Sequence, residues 1–405
     1  MTCSDLLKGQ PVQLLGLLMI KKFKIWFSLL SLFSIALSVN AIVPAAPELS
    51  AKSSVLMDFD SGKILVENNA DIPLPPASLT KMMTSYVVSS EIAEGNLKLS
   101  DKVHISKNAW AQNPLFQGSS LTWIEVNTDV SVEDLLKGVI IQSGNDASVA
   151  LAEHIAGSED IFAKLMNQHA ARLGMTNTHF ENSTGLPAEG HLSTARDLAI
   201  LTAAMIKSFP DEYAYYKEKW FTYNGIKQPN RNSLLWDESL NVDGVKTGHT
   251  DAAGFCLVSS ATKNSMRLIS VVMGTKSKNS RKVEGKKLLS YGFRFYETIK
   301  PLEAGKQLHQ QPIWMGEKEI VNLGIAKDIY LTIPRGKAKN LKARYVVEKE
   351  IEAPIVKGQL VGKIFFSLGD EDLAEHPLVA LEEVKEAGFF GRMSDSVSRW
   401  FGSLF

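Results

Sequence analysis

The stretch Pro75-Pro76-Ala77-Ser78-Leu79-Thr80-Lys81-Met82-Met83-Thr84 predicts a helix start with a serine and a lysine three positions apart. Residues three apart lie on one face of a helix, so the Ser78 hydroxyl and the Lys81 amine are expected to be neighbours. A serine is a weak nucleophile until a base takes its proton, and a lysine is such a base only if its pKa is lowered. The stretch therefore predicts a nucleophilic site. The four-residue pattern from Ser78 to Lys81 also occurs by chance in many chains, so alone it does not establish catalysis.

Two further short motifs follow along the chain. Ser143-Gly144-Asn145 lies between two helical patterns, and Lys246-Thr247-Gly248 ends a predicted strand that begins at Val242. Taken alone, the first fits an ordinary helix–helix turn and the second an ordinary solvated strand end. Together the two motifs offer hydroxyls, an amide and a positive charge. Gly248, which has no Cβ, lets a ligand backbone approach closely.

The order and context of the three motifs resemble those of the low-molecular-mass penicillin-binding proteins, the serine D-alanyl-D-alanine carboxypeptidases. The resemblance extends over most of the chain, including Asp243-Gly244-Val245-Lys246-Thr247-Gly248-His249-Thr250 and Lys286-Lys287-Leu288-Leu289. It implies removal of the terminal D-alanine from peptidoglycan stem pentapeptides through an acyl-serine, with β-lactam antibiotics as acylating inhibitors. No cofactor and no metal are implied.

The resemblance also implies roles for the motif residues. Ser78 is expected to be the acylated nucleophile and Lys81 its general base, while Ser143 relays a proton toward the leaving D-alanine. The expected substrate-binding residues are Asn145, Lys246, Thr247, Gly248, His249 and Arg281. Backbone N–H groups of Ser78 and His249 are expected to form the oxyanion hole. For Arg281, which would bind the terminal carboxylate, a solvated surface arginine is the alternative.

The fold class predicted is α+β. Strand patterns lie at both ends of the first region, around Val55–Phe59 and from Val242 to Met273, with a mostly helical block between them. A sheet assembled from both ends beside a helical block is an α+β arrangement. The resemblance implies a serine β-lactamase/D,D-peptidase-like domain with an antiparallel sheet over 42–299, and the strand patterns that follow predict a smaller all-β domain over 300–380.

Both termini of the chain are predicted to be targeting segments. A basic cluster before an apolar run from Ile25 to Val39 predicts a signal peptide over 1–41, with Met19 as a possible true start and an uncleaved anchor as the alternative. Residues 381–405 are predicted to form an amphipathic helix. Its apolar stripe consists of Phe389, Met393, Val397, Trp400, Phe401 and Leu404. A membrane-interface anchor is expected, with packing against the protein's own body as the alternative.

Composition excludes several other classes of protein. The 44 basic and 44 acidic residues give a net charge of zero, which argues against a nucleic-acid binder. The two cysteines, Cys3 and Cys256, cannot form a disulfide framework or a cysteine-based zinc site. The resemblance and the two terminal segments imply that the protein is exported and lies, as a peripheral protein, at the periplasmic face of the inner membrane.

Three functional alternatives remain open on the sequence. A class A β-lactamase would use a glutamate and a bound water for deacylation, but Gly144 stands where those enzymes usually carry aspartate. The loop from Phe180 to Leu186 also lacks their Glu-x-x-Leu-Asn pattern. A D,D-endopeptidase of the same group is the second alternative, and a non-catalytic cell-wall-binding protein of the same fold is the third.

Overall fold

The computed structural model describes residues 43–348, 350–393 and 395. They form two compact units: Ala45–Ile299 with Tyr330–Arg335, called the catalytic unit below, and Lys300–Ile329 with the described residues from Gly336 onward. The predicted signal peptide, with Met19, lies outside the described residues, as do Val397, Trp400, Phe401 and Leu404 of the predicted tail.

The catalytic unit is built on a five-stranded antiparallel sheet of order β2-β1-β9-β8-β7. The strands of the catalytic unit are Ser53–Asp58 (β1), Ile64–Asn68 (β2), Lys102–His104 (β3), Asp129–Ser131 (β4), Trp220–Tyr223 (β5), Ile226–Pro229 (β6), Asn241–Thr250 (β7), Gly254–Lys263 (β8) and Met266–Thr275 (β9). Strand β1 pairs with β9, with Ser53 opposite Met273. The sheet is therefore assembled from both ends of the unit, and the predicted α+β class is confirmed.

Helices cover both faces of this sheet. The helices are Lys81–Ala93 (α1), Val132–Lys137 (α2), Asn145–Ala156 (α3), Glu159–Leu173 (α4), Ala195–Ser208 (α5), Pro210–Tyr213 (α6) and Lys278–Phe295 (α7). Alternate residues of β9 point to opposite faces, as strand geometry requires. Ile269 and Val271 join the core shared with the helical block, whereas Leu268 and Val272 pack in a second core with Leu288 of α7.

Local sequence explains where several elements begin and turn. Ser131 accepts a hydrogen bond from the Asp134 amide at the start of α2, and Thr194 accepts one from Asp197 at the start of α5. The β8–β9 hairpin turns at Asn264 and Ser265, which both have positive φ, as a type I′ turn requires. The capping residues and the turn are therefore specified by nearby residues.

The second unit contains a five-stranded antiparallel sheet of order β11-β12-β16-β15-β14. The remaining strands are Tyr296–Leu302 (β10), His309–Pro312 (β11), Ile320–Gly324 (β12), Ile329–Pro334 (β13), Leu341–Val347 (β14), Leu360–Leu368 (β15) and Glu371–Ala380 (β16). Strand β10 pairs with β13, and most residues of both strands belong to the catalytic unit. The predicted C-terminal β domain is thus present.

The tail differs in part from the helix predicted over 381–405. Residues 381–388 are not helical, because Val384 is buried in the core of the second unit and bridges Ile355. Helical residues begin at Phe389, and the side chains of Phe389, Phe390 and Met393 are exposed. None of the helices in the described part of the chain has both the length and the apolar character needed to cross a bilayer.

Candidate active site

Ser78 lies in a turn of 3-10 helix, Ala77–Thr80, that leads directly into α1. Neighbouring backbone presses closely on this turn. A Cβ at Gly185 would lie 1.9 Å from the Ala77 carbonyl oxygen, and one at Gly248 would lie 2.8 Å from the Pro76 carbonyl oxygen. Only glycine fits at these two positions, so strand β7 and the loop around Gly185 form the walls beside Ser78.

Lys81 is buried in the first turn of α1 with 1% of its surface exposed. Its Nζ lies 3.4 Å from Ser78 Oγ, and it donates hydrogen bonds to Asn145 Oδ1 at 2.6 Å and to the Thr184 carbonyl oxygen at 2.5 Å. Burial lowers the pKa of Lys81 to about 7, against the opposing attraction of Asp146. A substantial fraction of this amine is therefore unprotonated near neutral pH.

Ser143 follows a short π-helical segment, Gly138–Gln142, and adopts the left-handed conformation with φ of 65°. Its Oγ is buried and has no hydrogen-bond partner among the described residues. A Cβ at Gly144 would lie 2.1 Å from Thr122 Oγ1, so this position has no room for a side chain such as aspartate. The serine hydroxyl is therefore available to a ligand in the adjoining cavity.

Asn145 connects two walls of the site. Its side chain accepts the bond from Lys81 and donates to Ser119 Oγ at 2.8 Å. The next residue, Asp146, accepts backbone N–H bonds from Thr122, Trp123 and Ile124 and fixes that segment against α3. Burial raises the pKa of Asp146, while these backbone donors oppose the rise.

Strand β7 brings further positive charge. Lys246 is 2% exposed, and its Nζ lies 3.4 Å from the Thr247 carbonyl oxygen. Burial, followed by the charges of Lys81, Arg231 and Arg281, holds the pKa of Lys246 well below its ordinary value. Several basic groups thus lie close together, an arrangement that favours the binding of an anion.

Arg281 lies in the first turns of α7 and is buried, so the alternative of a solvated arginine does not hold. Its Nη1 donates to the Gly248 carbonyl oxygen at 3.0 Å, and its guanidinium lies 5.7 Å from the Phe255 ring centre. Burial lowers its pKa to about 10, which leaves it charged at neutral pH. His249 stacks on the same Phe255 ring with 3.9 Å between ring centres.

A cavity of about 420 Å³, called the main cavity, lies where these elements meet. Of the predicted site residues, those that line it are Ser78, Ser143, Asn145, Thr247, Gly248, His249 and Arg281. Lys81 and Lys246 lie behind this lining and are buried. The structure thus gathers all nine predicted residues, which come from four separate stretches of sequence, around one space.

Sequence reasoning missed other residues of the main cavity. They are Gly118, Ser119, Ser120, Thr184, Gly185, Leu186, Arg231, Thr250 and Lys278. None belongs to a short motif with a chemical reason of its own, and most lie in irregular loops. The pair Ser119-Ser120 looks like part of an ordinary polar loop in the sequence. Only the tertiary structure shows that Ser119 contacts Asn145.

His191 is a further residue that the sequence did not single out. Its Nδ1 accepts a hydrogen bond from the Glu181 amide at 3.1 Å, and its Nε2 lies 2.7 Å from Thr80 Oγ1. Because Nδ1 accepts, the neutral ring carries its proton on Nε2 and donates to Thr80. Burial lowers the pKa of His191 to about 4, which keeps the ring neutral. His191 therefore ties the loop that supplies the Thr184 carbonyl to the turn that holds Ser78.

The antiparallel sheet, the helical block and the turn bearing Ser78 and Lys81 define the serine D,D-peptidase class of fold. The chain belongs to the D-alanyl-D-alanine carboxypeptidase family, whose model matches residues 40–277. A second model, that of the C-terminal domain of penicillin-binding protein 5, matches residues 296–386.

Known relatives cover nearly all of the chain. It is 50% identical over 372 residues to the D-alanyl-D-alanine carboxypeptidase DacA of Escherichia coli, a match that covers 90% of this chain and 92% of DacA. It is 52% identical over 366 residues to DacC of the same organism, covering 89% of this chain and 92% of DacC. The crystal structure of penicillin-binding protein 5 from Haemophilus influenzae matches with a TM-score of 0.83 and 48% identity, over 85% of this chain and all of that one (100%).

Proposed function

We propose that this protein is a serine-type D-Ala-D-Ala carboxypeptidase that removes the terminal D-alanine from peptidoglycan stem pentapeptides. The observation that carries the proposal is the buried Lys81 amine, 3.4 Å from Ser78 Oγ and with a pKa lowered to about 7. An amine in this state takes the serine proton at neutral pH, and that step makes the hydroxyl nucleophilic.

Acylation begins when Ser78 Oγ attacks the carbonyl carbon of the penultimate D-alanine. The oxygen of the tetrahedral intermediate accepts hydrogen bonds from the backbone N–H groups of Ser78 and His249, each worth about 3 kcal/mol in the transition state. Ser143, whose buried hydroxyl has no partner among the described residues, donates its proton to the departing amine and regains one from the Lys81 ammonium that formed when Ser78 was deprotonated. The C–N bond then breaks, D-alanine leaves, and water later hydrolyses the serine ester.

The free carboxylate of the substrate selects the cationic end of the main cavity. Thr247 offers a hydroxyl there and Arg281 offers its guanidinium, while a bound carboxylate would favour the protonated form of Lys246 behind the lining. A carboxylate bound at this point offsets the electrostatic repulsion among the neighbouring basic groups, because it gives them an anionic partner. The requirement for a terminal carboxylate makes the reaction a carboxypeptidase reaction.

The geometry of the loop over 180–186 does not favour a class A β-lactamase. Glu181 is exposed, its carboxylate pairs with His179 at 3.0 Å, and it does not line the main cavity. The cavity wall at this place consists instead of Thr184, Gly185 and Leu186. Because no glutamate is among the described residues that line the main cavity, β-lactams are expected to form a long-lived ester with Ser78 and thus act as inhibitors.

Mass spectrometry of the intact protein after treatment with benzylpenicillin tests the assignment of the nucleophile. We expect one penicilloyl adduct, located by peptide mapping on Ser78, and D-alanine release from an N-acylated Lys-D-Ala-D-Ala peptide. Ser78→Ala should lose both, while Ser239→Ala, an exposed control, should keep both. If Ser78→Ala releases D-alanine at the normal rate, the proposal is wrong. A cell-wall-binding protein without turnover would release no D-alanine in any variant.

We also propose that the protein is exported and held at the periplasmic face of the inner membrane by its C-terminal helix. The residues of the helical stripe that the structure describes, Phe389 and Met393, have exposed apolar side chains, which suits insertion at a membrane interface. Deletion of residues 388–405 should move the protein from the membrane fraction to the soluble periplasmic fraction. A truncated protein that stays with membranes would contradict the anchor.

A further inference from the structure

Glu159, the first residue of α4, holds a loop segment that reaches the nucleophilic site. Its Oε1 accepts two hydrogen bonds from Ser183, one from the backbone amide at 2.9 Å and one from the hydroxyl at 2.6 Å. Ser183 is fully buried, whereas Glu159 is only half-buried. Hydrogen bonds to a carboxylate are short and strong, so Glu159 fixes both the main chain and the side chain of Ser183.

Ser183 connects this carboxylate to the general base. Its carbonyl oxygen accepts a hydrogen bond from Thr84 Oγ1 at 2.6 Å, which attaches the segment to α1. The next carbonyl along the chain, that of Thr184, accepts the bond from Lys81 Nζ. Lys81 and Thr84 are three residues apart and therefore lie on one face of α1. A continuous series of contacts thus leads from Glu159 through Ser183 and Thr184 to the amine.

Asn182 makes the segment rigid enough to transmit this anchoring. Its Oδ1 accepts hydrogen bonds from the Thr184 amide at 3.1 Å and from the Gly185 amide at 2.7 Å, and its Nδ2 donates to the Leu186 carbonyl at 3.0 Å. An asparagine that bonds to the backbone following it closes a turn in this way. The bonds of Glu159 to this closed turn therefore also position the Thr184 carbonyl.

The charged and titratable groups that face Lys81 come from several elements. Asp146 of α3 and Glu159 both favour the charged amine and raise its pKa, against the burial that lowers this pKa to about 7. Lys246 of β7 has a pKa well below its ordinary value, and His191 is neutral with a pKa of about 4. Asp146 is fully buried, so Glu159 is the anionic neighbour that solvent can reach.

We propose that Glu159 is a positioning residue for acylation: through Ser183 it holds the Thr184 carbonyl against Lys81, and its negative charge favours the protonated amine. The proposal rests on the serine carboxypeptidase function proposed above. Glu159 is not among the described residues that line the main cavity, so it acts through its neighbours. Its bonds affect the maximum rate, whereas its charge affects the pH at which half of that rate is reached. The two effects are separable because an amide keeps the acceptor oxygen and loses the charge.

The pH profile of the second-order rate constant for acylation by benzylpenicillin tests both effects. In Glu159→Gln the midpoint of this profile should fall by about one pH unit, because an anion near Lys81 is lost. The plateau rate at high pH should stay within about threefold, because the amide oxygen still accepts from Ser183. In Glu159→Ala the midpoint should fall and the plateau should also drop about tenfold, since the Thr184 carbonyl is no longer held in place.

Asp160→Asn is the matched control, because it removes the same charge from the next residue of α4, which is exposed. Its midpoint and plateau should equal those of the unaltered protein. An unchanged midpoint in Glu159→Gln, or an equal shift in Asp160→Asn, overturns the electrostatic role, and an unchanged plateau in Glu159→Ala overturns the positioning role. If Glu159→Ala does not fold, the midpoint of Glu159→Gln decides alone. Absence of acylation and of D-alanine release in the unaltered protein would instead overturn the carboxypeptidase function.

Discussion

At the scale of single residues, the protonation state of Lys81 governs the chemistry. The amine is held by Asn145 and the Thr184 carbonyl, and removal from water lowers its affinity for a proton. Asp146 opposes this effect from nearby, so the pKa of Lys81 settles at about 7 instead of falling further. The site therefore balances a buried amine, which must be neutral to act, against a buried carboxylate that favours its charge.

The rate of acylation should consequently rise with pH through about 7, the pKa of Lys81. Below that value the protonated amine cannot accept the serine proton, so the second-order rate constant with benzylpenicillin should fall about tenfold per pH unit. Stopped-flow measurements from pH 5.5 to 8.5 give this profile, and a flat profile would contradict the role of Lys81. Lys81→Arg, which stays protonated throughout, should abolish acylation.

His191 acts on the chemistry through the turn that holds Ser78. Replacing it with leucine leaves the buried Thr80 hydroxyl without this partner, which costs about 1–3 kcal/mol, and also removes the acceptor of the Glu181 amide. We expect acylation of the His191→Leu variant by benzylpenicillin to slow about tenfold, because the Thr184 carbonyl no longer holds Lys81 in place. For the same reason, the midpoint of the pH profile of the acylation rate should shift. His191→Gln, which can still donate to Thr80, should recover part of the rate. An unchanged pH midpoint in His191→Leu would show that the residue only supports folding.

At the scale of elements, strand β7 and the Ser78 turn depend on a close backbone approach. Gly248 is the point of contact, and an added Cβ would meet main-chain oxygen of Pro76, which cannot move aside as a flexible side chain can. The same glycine gives its carbonyl oxygen to Arg281 of α7. One residue therefore fixes the spacing among three elements that supply the nucleophile, the hydroxyl of Thr247 and the guanidinium.

Gly248→Ala should push β7 away from the turn and slow acylation by about 100-fold, since a displacement near 1 Å has that effect on reacting groups. The measurement is the second-order rate constant with benzylpenicillin, together with the melting temperature. Gly388→Ala is the matched control, because nothing lies within 4 Å of a Cβ added there. Retention of the full acylation rate in Gly248→Ala would contradict the close approach.

At the scale of the whole molecule, much of the organisation could be predicted from sequence and some could not. The strands at both ends of the catalytic unit, the caps at Ser131 and Thr194 and the three motifs rest on local patterns. The return of Tyr330–Arg335 to the catalytic unit could not be predicted, because its reason is a set of contacts between residues far apart in sequence. Arg231 and the loop at Ser119 reach the main cavity in the same non-local way.

The returning segment should contribute to the stability of the catalytic unit. Thr332 Oγ1 lies 2.5 Å from Ser61 Oγ, and its carbonyl oxygen accepts from Lys63 at 3.3 Å. Thr332→Val keeps the shape but removes the hydroxyl, so we expect a loss of about 1 kcal/mol in the free energy of unfolding, measured in urea. The double variant with Ser61→Ala should lose about as much as Ser61→Ala alone, because that change already removes the Thr332–Ser61 bond together with the Ser61 bond to Asp58. Additive losses would argue against this pair.

The pairing of β1 with β9 also determines when during synthesis the enzyme can first work. Ser78 leaves the ribosome early, but the sheet beside it cannot close until Thr275, the last residue of β9, has been made. Pairing of strands so distant along the chain is slow and leaves apolar strand faces open in the meantime. A nascent chain is therefore expected to remain catalytically silent until about two thirds of it exists.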